Sequence, residues 1–419
     1  MRLGKHIAVI GGGVVGLAIA LKLRREGYRR VILFEPEEPG SQTSAGNASL
    51  IMASEVKPLS RPGLLMKLPK MLSDPAGPLV VNWKHLPRMT PWVRRFLRSG
   101  RRKNYNSIAE TLAPLTMRSL DAWVSMLGAY DTGKLLRKDG LLYLYKSPKT
   151  FRAGQKEAAF AGNFGVESEI LHAEELRQME PGLSGDLAGG VFYPESGHCV
   201  DPRKLTNSLS IAFRTNGGEH QRKAVRKLIP ASGGMVKLIC DGEEFIVDEA
   251  VVAAGIWSPP LVKSFGVKSM VACDRGYNLT LKHPGIDLRR PLVSADDHFA
   301  ITPIGDEGSI RLAGTSEFAG LNTPPNWERS DMLLDQAKSI LPEINGEDSA
   351  SRWMGTRPST PDSLPVIGRT PKNKHIICAF GHGHLGLTLG AVTADIVADL
   401  ITQREVGEEV AALSPARFA

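Results

Sequence analysis

The chain has 419 residues, 42% of them hydrophobic and 23% charged, and a formal net charge of +8. This composition excludes collagen-like and disordered classes, and the lack of an apolar run of about 20 residues excludes a membrane-spanning helix. The length exceeds the ~250–300 residues at which single cores stop growing, so two domains are expected.

The first element is a buried strand, Ile7-Ala8-Val9-Ile10, that runs into Gly11-Gly12-Gly13-Val14-Val15-Gly16. Gly11 allows a tight turn, Gly13 lets backbone approach a pyrophosphate, and Gly16 lets the following helix, about Val14 to Glu26, pack close to the strand. That helix begins with unpaired N–H groups, to which Val14 and Val15 contribute, and with positive dipole. A second strand, Val31 to Phe34, ends at Glu35, about 20 residues beyond the glycines, where an acid accepts a hydrogen bond from a ribose 2′-OH. The set implies an adenine dinucleotide, and the acid favours NAD or FAD over NADP. Arg2 and Lys5 before the apolar run imitate a secretory signal. The glycine turn and Glu35 account for the same residues, so export is not expected. The loop Ser44-Ala45-Gly46-Asn47-Ala48-Ser49 follows directly and is small enough to lie against a flat ligand.

Residues 57–103 are strongly basic: Lys57, Arg61, Lys67, Lys70, Lys84, Arg88, Arg94, Arg95, Arg98, Arg101, Arg102 and Lys103 stand against the single acid Asp74. Trp83, Trp92, Phe96 and many leucines interleave. Two readings are open: docking on an anionic membrane surface, or a solvated basic face on helices packed inward. No nucleic-acid motif accompanies the charge. A helix is expected over about 108–129, a strand at Leu141–Tyr145, a short helix from His172 to Met179, and a strand at Val191–Tyr193. Asp201-Pro202 starts another helix, N-cap acid followed by proline, which stops at Asn216-Gly217-Gly218. Strands return at 224–228, 235–240 and 244–248.

Val251-Val252-Ala253-Ala254-Gly255-Ile256-Trp257 is a buried strand ending at a turn, a second close backbone approach that favours FAD over NAD. Strands follow at 277–281, 298–303 and 309–314, then a helix from Ser330 to Leu341. A last strand at Ile376–Phe380 turns through Gly381-His382-Gly383-His384-Leu385-Gly386 into a helix from Leu387 to about Ile401. The four cysteines (Cys199, Cys240, Cys273, Cys378) are far apart, which fits a reducing compartment. Cys378 lies in an apolar run and reads as an inert buried thiol rather than a covalent flavin link. No spacing supports a metal.

Together these segments resemble the FAD-dependent D-amino-acid oxidase and glycine oxidase superfamily, nearest to its bacterial D-amino-acid dehydrogenase branch. The motifs that carry the resemblance are the opening turn with Glu35, Ser44 to Ala48, Val251 to Ser258, Arg275-Gly276-Tyr277, Leu312 to Phe318, Gly355-Thr356-Arg357-Pro358 with Thr360-Pro361-Asp362, and Gly381 to Thr388. Two positions depart from the branch. Arg275 stands where Lys is frequent, with an expected effect on substrate size, and Ser49 stands where Gly is frequent.

The resemblance implies an α/β fold, with a Rossmann-like FAD-binding domain from residues 1–60, 199–265 and 346–419. Residues 61–198 and 266–345 would form an α+β substrate domain on a mixed or antiparallel sheet. It implies non-covalent FAD held by Gly11, Gly13, Val14, Val15, Gly16, Glu35, Ser44, Gly46, Asn47, Ala48, Val225, Ala254, Gly255, Trp257, Gly381, Gly383, His384, Leu385, Gly386, Leu387 and Thr388. Arg357 matches the arginine that anchors the substrate carboxylate, for which a planar guanidinium is suited. Tyr277 would add a hydrogen bond to the carboxylate or pack in the core. His382 is a further candidate for the catalytic set, with His298 and Glu317 behind it. The expected reaction is oxidative deamination of a D-amino acid, or of a cyclic imino acid such as a D-hydroxyproline, by hydride transfer to flavin N5. Electrons would pass to a respiratory-chain acceptor, a quinone, near the inner face of the cell membrane from an otherwise cytoplasmic protein. A glycine or sarcosine oxidase using oxygen, and a flavoprotein subunit without turnover, are the alternatives.

Overall fold

The structure is a computed structural model that describes residues 4–64, 66, 77, 79–81, 86–305 and 307–418. The chain forms two compact units, Met1–Ala45 with Arg203–Ala272 and Arg357–Ala419, and Gly46–Pro202 with Cys273–Thr356. Sequence had placed the first break at 60/61. It falls at 45/46 because residues 46–51 are bonded into the second unit: Leu50–Ile51 pairs with Gly197–Cys199, and the carbonyls of Gly46 and Ala48 are bound there. The last break falls within the strand Ser351–Ser359 rather than at 345/346.

The first unit is built on a six-stranded sheet in the order Glu219–Gln221, Arg30–Phe34, His6–Ile10, Glu249–Val252, Ile376–Phe380, Val366–Arg369. Only the last pairing is antiparallel. Parallel strands covered on both faces read as continuous apolar runs, and Ile7 to Ile10, Val31 to Phe34 and Ile376 to Phe380 are all buried. The helix Val14–Arg25 buries nine of its twelve residues and packs against the helix Gly390–Thr402. The latter starts three residues later than its sequence suggested, after a 3-10 turn at Gly383–Leu385, and a short helix, Glu409–Ala412, follows it. A three-stranded antiparallel sheet, Val225–Pro230, Val236–Cys240 and Glu243–Val247, completes the unit.

The second unit is organised by a nine-stranded mixed sheet that includes Leu141–Tyr145, Gly189–Tyr193, Ala272–Leu281, Leu292–Ser294, Phe299–Ile304 and Ser309–Phe318. Its two faces differ. One carries Leu142, Leu144, Leu279, Leu281, Leu292, Ile301 and Leu312, which join Leu333, Leu334 and Ala337 of the helix Glu328–Lys338 in one closed core. Each fully buried leucine there contributes about 1.5–3 kcal/mol. The opposite face carries Asn278, Thr280, Thr302, Arg311 and Tyr143, the partners of alternate positions. The single helix expected over 108–129 is two, Arg102–Met117 and Ser119–Leu135, the second interrupted at Gly128 with φ 75°.

Candidate functional site

In the first unit, the parallel strands end in loops whose glycines divide into two kinds. Gly11 (φ +107°) and Gly16 are closed in: an added Cβ would lie 2.5 Å from the Ala253 carbonyl oxygen and 1.9 Å from the Gly11 carbonyl oxygen. Gly12, which sequence reading passed over, is closed in as well: an added Cβ would lie 2.8 Å from Glu35 Cγ. Gly13 and Gly255 are open. A Cβ on Gly13 would meet only Ser44 Oγ, at 3.3 Å, and one on Gly255 would meet nothing within 4 Å. The carboxyl ends of parallel strands, lined by exposed glycine backbone at a helix start, are where an open α/β sheet takes a dinucleotide.

Glu35 is held in place by backbone N–H groups. Its Oε2 accepts the Gly12 N–H at 2.7 Å and its Oε1 accepts the Glu37 N–H at 3.1 Å. The first helical acceptor bond is Leu17 N–H to the Gly13 carbonyl, so the preceding N–H groups have no partner inside the helix. Ser44 Oγ takes one of them, Val14 N–H, at 2.9 Å. Ser44 therefore caps the helix, which the sequence reading had not assigned to it. Val15 N–H has no protein acceptor among the described residues. Ala253 N–H bonds the Ile10 carbonyl at 2.8 Å, which ties the second turn, Ala254 to Trp257, to the first. Trp257 is 48% exposed, and Val225 packs half-buried at the edge of the core.

The C-terminal turn belongs to the same unit. Gly381 (φ +80°) and Gly383 (φ +54°) are both left-handed, conformations open to glycine at little cost. A Cβ on Gly381 would lie 2.9 Å from Thr360 Cγ2, and one on Gly383 no closer than 3.5 Å to Ser359 Oγ. A backbone bridge joins Ser359 to His382, so half-buried Arg357 lies two residues from the point where its strand meets this turn. His384 is half-buried, and Leu385, Leu387 and Thr388 are buried.

The His382 side chain is committed within the protein. Its ring is buried, and Nε2 lies 2.9 Å from Thr393 Oγ1 on the helix Gly390–Thr402. Burial pushes its pKa down to about 4, so it is neutral at physiological pH and anchors the turn instead of moving protons. Cys378 is fully buried in the strand Ile376–Phe380, and burial pushes its thiol far up. A thiolate is not accessible there.

In the second unit, Tyr277 lies on the closed face of the sheet, in the row of Gly314 and Phe299. Its hydroxyl donates to Glu317 Oε2 at 2.5 Å and accepts the Asn326 N–H at 3.1 Å. Desolvation, and then the Glu317 carboxylate, raise it to about 12. With its proton already given to Glu317, this hydroxyl cannot also donate to a carboxylate; the packed-core reading is the one the geometry favours. Arg275 is fully buried in the same network, 3.3 Å from Glu317 and bonded to the carbonyls of Thr323 and Pro324. It clamps the 319–327 loop. Ser49 adopts φ 63° with Asn47 Oδ1 accepting its N–H at 2.7 Å, a left-handed backbone that explains why glycine suits that position.

The open face of this sheet holds the 46–55 segment. Asn278 Nδ2 donates to the Gly46 carbonyl at 2.7 Å, Arg311 to Asn47 at 2.9 Å and Thr302 to Ala48 at 2.9 Å. Gly46 is closed in, since a Cβ would lie 2.2 Å from the Trp353 ring. Further along, Tyr143 donates to Glu55 Oε2 at 3.2 Å, and Lys57 and Arg61 converge on Glu157 at 2.6 and 2.7 Å. Sequence reading missed this cluster, and it counted Lys57 and Arg61 in the basic surface, although Lys57 is buried and both turn to Glu157. Trp92 likewise packs inward on Phe318, ring centroids 5.1 Å apart. Arg94, Arg98, Arg101, Arg102 and Lys103 are exposed, whereas Lys67, Lys70, Lys84 and Trp83 lie outside the described residues. No group of three or more potential metal ligands occurs among the described residues.

The family model described as FAD dependent oxidoreductase (DAO) matches residues 6–400. The chain belongs to that family. It is an FAD-dependent oxidoreductase with the D-amino-acid-oxidase type of fold. It is 34% identical to a D-amino-acid oxidase of Bradyrhizobium diazoefficiens, covering 99% of both chains. It is 32% identical to a D-amino acid dehydrogenase of Paramagnetospirillum magneticum, covering 98% of both. Among solved structures, glycine oxidase from Geobacillus kaustophilus superposes with a TM-score of 0.77 at 22% identity, over 99% of this chain and 98% of that one. The open glycine backbone, the oriented Glu35 and the Val15 N–H at the helix start fit the cofactor that the family uses.

Proposed function

We propose that this oxidoreductase acts on a D-amino acid, or on a cyclic imino acid such as a D-hydroxyproline. The substrate loses two electrons and two protons from its nitrogen and α-carbon to give the imine. Water opens the imine to a 2-oxo acid, with release of ammonia when the nitrogen is not in a ring. FAD, when bound, supplies the two-electron acceptor. The chain's own residues bind and orient. The Gly11–Gly16 turn and Val15 N–H offer donors to a pyrophosphate, and Glu35 offers an acceptor to a ribose hydroxyl. The backbone of the Gly381 to Thr388 turn would hold the flavin ring system. Arg357 takes the substrate carboxylate in two parallel hydrogen bonds, which fixes orientation as well as affinity. No side chain is needed as a base once the amine is neutral, which fits the commitment of His382 to Thr393.

The observation that carries this reading is the Ser359–His382 bridge, which ties the arginine strand to the glycine turn within one unit. The test is anaerobic visible absorbance of the purified protein, titrated with D-amino acids, their L-isomers, hydroxyproline isomers, glycine and sarcosine. Bleaching by D-isomers supports the proposal; a flavin bleached by none of them refutes it.

For the acceptor we infer a membrane quinone, supported by the exposed run Arg94, Arg98, Arg101, Arg102 and Lys103. Anionic lipid attracts such a run with about 1 kcal/mol per basic residue. The oxidase name of one relative favours oxygen instead. Peroxide formed in step with substrate would decide for oxygen. Turnover with a soluble quinone and none with oxygen would decide for the respiratory chain.

A further inference from the structure

A recess of about 140 Å³ lies wholly within the second unit, and its lining includes Arg137, Asp139, His198, Val200, Leu288 and Arg289. Two chain segments build it. One is the small sheet of Leu50–Ile51, Gly197–Cys199 and Leu136–Arg137, in which Arg137 stands directly opposite His198, so that the two side chains share one face. The other is the 288–290 segment. Glu180 accepts the Arg289 backbone N–H and the Arg290 guanidinium, which fixes this segment and leaves the Arg289 side chain exposed.

The charges of this recess stand near one another without meeting. Among the described residues, no ion pair joins Arg137 or Arg289 to Asp139, although all three line the same space. Arg137 spends only Nη1, on the carbonyls of Gly133 and Leu136, and the side chains of Arg289 and Asp139 make no hydrogen bond among the described residues. His198 is 3% exposed, and its Nδ1 is buried with no hydrogen-bond partner. Charges of both signs reach that ring: burial pushes its pKa down to about 4, Asp139 pulls it up and Arg137 pushes it down. The neutral imidazole offers an N–H at one nitrogen and a lone pair at the other.

We propose that this recess binds a small free amino acid as its zwitterion, through residues that the reaction proposed above does not use. The carboxylate goes to the guanidiniums of Arg137 and Arg289, and the ammonium group goes to Asp139. Hydrogen bonds between charged groups are the strong ones, and a guanidinium matches a carboxylate with two parallel bonds. The His198 ring gains a partner at either end of the ligand, because its proton sits on whichever nitrogen the partner requires. Buried Val200 and Leu288 supply apolar contact for a short side chain. Volume limits the ligand: a cavity of ~150 Å³ takes a molecule of about six non-hydrogen atoms, the size of alanine and not of leucine. A carboxylate without an amine would leave Asp139 unpaired, and an amine without a carboxylate would leave both arginines so.

The test is titration calorimetry of the holoenzyme with L-alanine, against L-leucine, acetate and ethylamine, in the wild type and in Arg357→Ala. L-Alanine is expected to bind both proteins alike, because Arg357 is not part of the recess. L-Leucine, acetate and ethylamine are expected to bind at least about tenfold more weakly. Arg289→Ala and Asp139→Asn change exposed side chains and should leave the fold intact; each is expected to weaken L-alanine by about tenfold. Arg289→Lys, which keeps the charge without the planar fork, should recover only part of that loss. No binding of L-alanine to the wild type overturns the proposal. So does binding that disappears in Arg357→Ala, or binding unmoved by every recess variant. Acetate held as tightly as L-alanine overturns the zwitterion.

Discussion

Replacing Tyr277 by Phe separates a structural tyrosine from a substrate-binding one. The hydroxyl has two partners, Glu317 Oε2 at 2.5 Å and Asn326 N–H at 3.1 Å, and the residue is 1% exposed. Removing one oxygen leaves both partners without their bond, at about 1–3 kcal/mol for each buried group left unsatisfied. Glu317 keeps Arg275 at 3.3 Å, which puts its share at the lower end, so the sum is about 2–4 kcal/mol. For a unit of this size each kcal/mol lowers the melting temperature by about 2–4 °C, so a drop of about 4–16 °C is expected. The pH response adds a second signature. The phenol's pKa is raised from 10.0 to about 12, so its stabilisation is complete below pH 10 and fades as pH rises toward 12. The Phe variant should lack that alkaline component. The assay is thermal melting at pH 7.5 and at pH 9 to 11, with kcat/KM for the best substrate measured at pH 7.5. We expect kcat/KM within about threefold of wild type. An unchanged melting temperature with a loss in kcat/KM above about tenfold would refute the assignment and return the hydroxyl to the substrate.

Arg357→Ala should raise the apparent KM by about a hundredfold or more while leaving flavin absorbance in the purified protein; retained affinity would remove Arg357 as the carboxylate anchor. Gly16→Ala puts a Cβ 1.9 Å from the Gly11 carbonyl oxygen and should yield protein without flavin or no soluble protein. Gly13→Ala meets only Ser44 Oγ at 3.3 Å and should fold, with FAD bound at least about tenfold more weakly. Equal behaviour of the two variants in flavin content and circular dichroism would contradict the division into packing and ligand-facing glycines. His382 has its pKa lowered from 6.5 to about 4, so the stability it contributes is present above pH 6.5 and is lost as pH falls toward 4. That loss is about 3 kcal/mol in urea unfolding. His382→Gln should flatten this acid limb; an unchanged limb would mean that the ring is not held neutral.

Much of the first unit was legible because its signals are local. A buried apolar run, three glycines at fixed spacing and an acid at the end of the next strand are each set by contacts within a few tens of residues, and the structure gives each a steric or hydrogen-bonding reason. Helix starts were less legible. The 3-10 turn at Gly383–Leu385 carries the same residue types as a helix, and only its hydrogen bonds separate it from the helix that begins at Gly390. The unit boundary at 45/46 was also hidden, since it depends on Asn278, Thr302 and Arg311, which lie more than two hundred residues away in the chain.

The second unit shows where period-two reasoning succeeds and where it breaks. In Leu141-Leu142-Tyr143-Leu144-Tyr145, leucines at 142 and 144 and tyrosines at 143 and 145 alternate, a pattern that by itself assigns the tyrosines to the face opposite the core. Tyr143 is found there, bonded to Glu55, so its face had a signal in the sequence. Arg275-Gly276-Tyr277 had none. The register between this strand and Ser309–Phe318 shifts between Arg275 and Tyr277, and a bulge breaks the period-two count along the strand. From sequence, Tyr277 could be assigned to either face. The bulge is a pairing property of two strands some forty residues apart. It joins Arg275 and Tyr277 to Glu317 in one buried network, and it leaves Asn278, the next residue, to line the open face. The two faces of the unit therefore part at a single irregular step in one strand, with Tyr277 locked against Glu317 on one side of it and Asn278 holding the Gly46 carbonyl on the other.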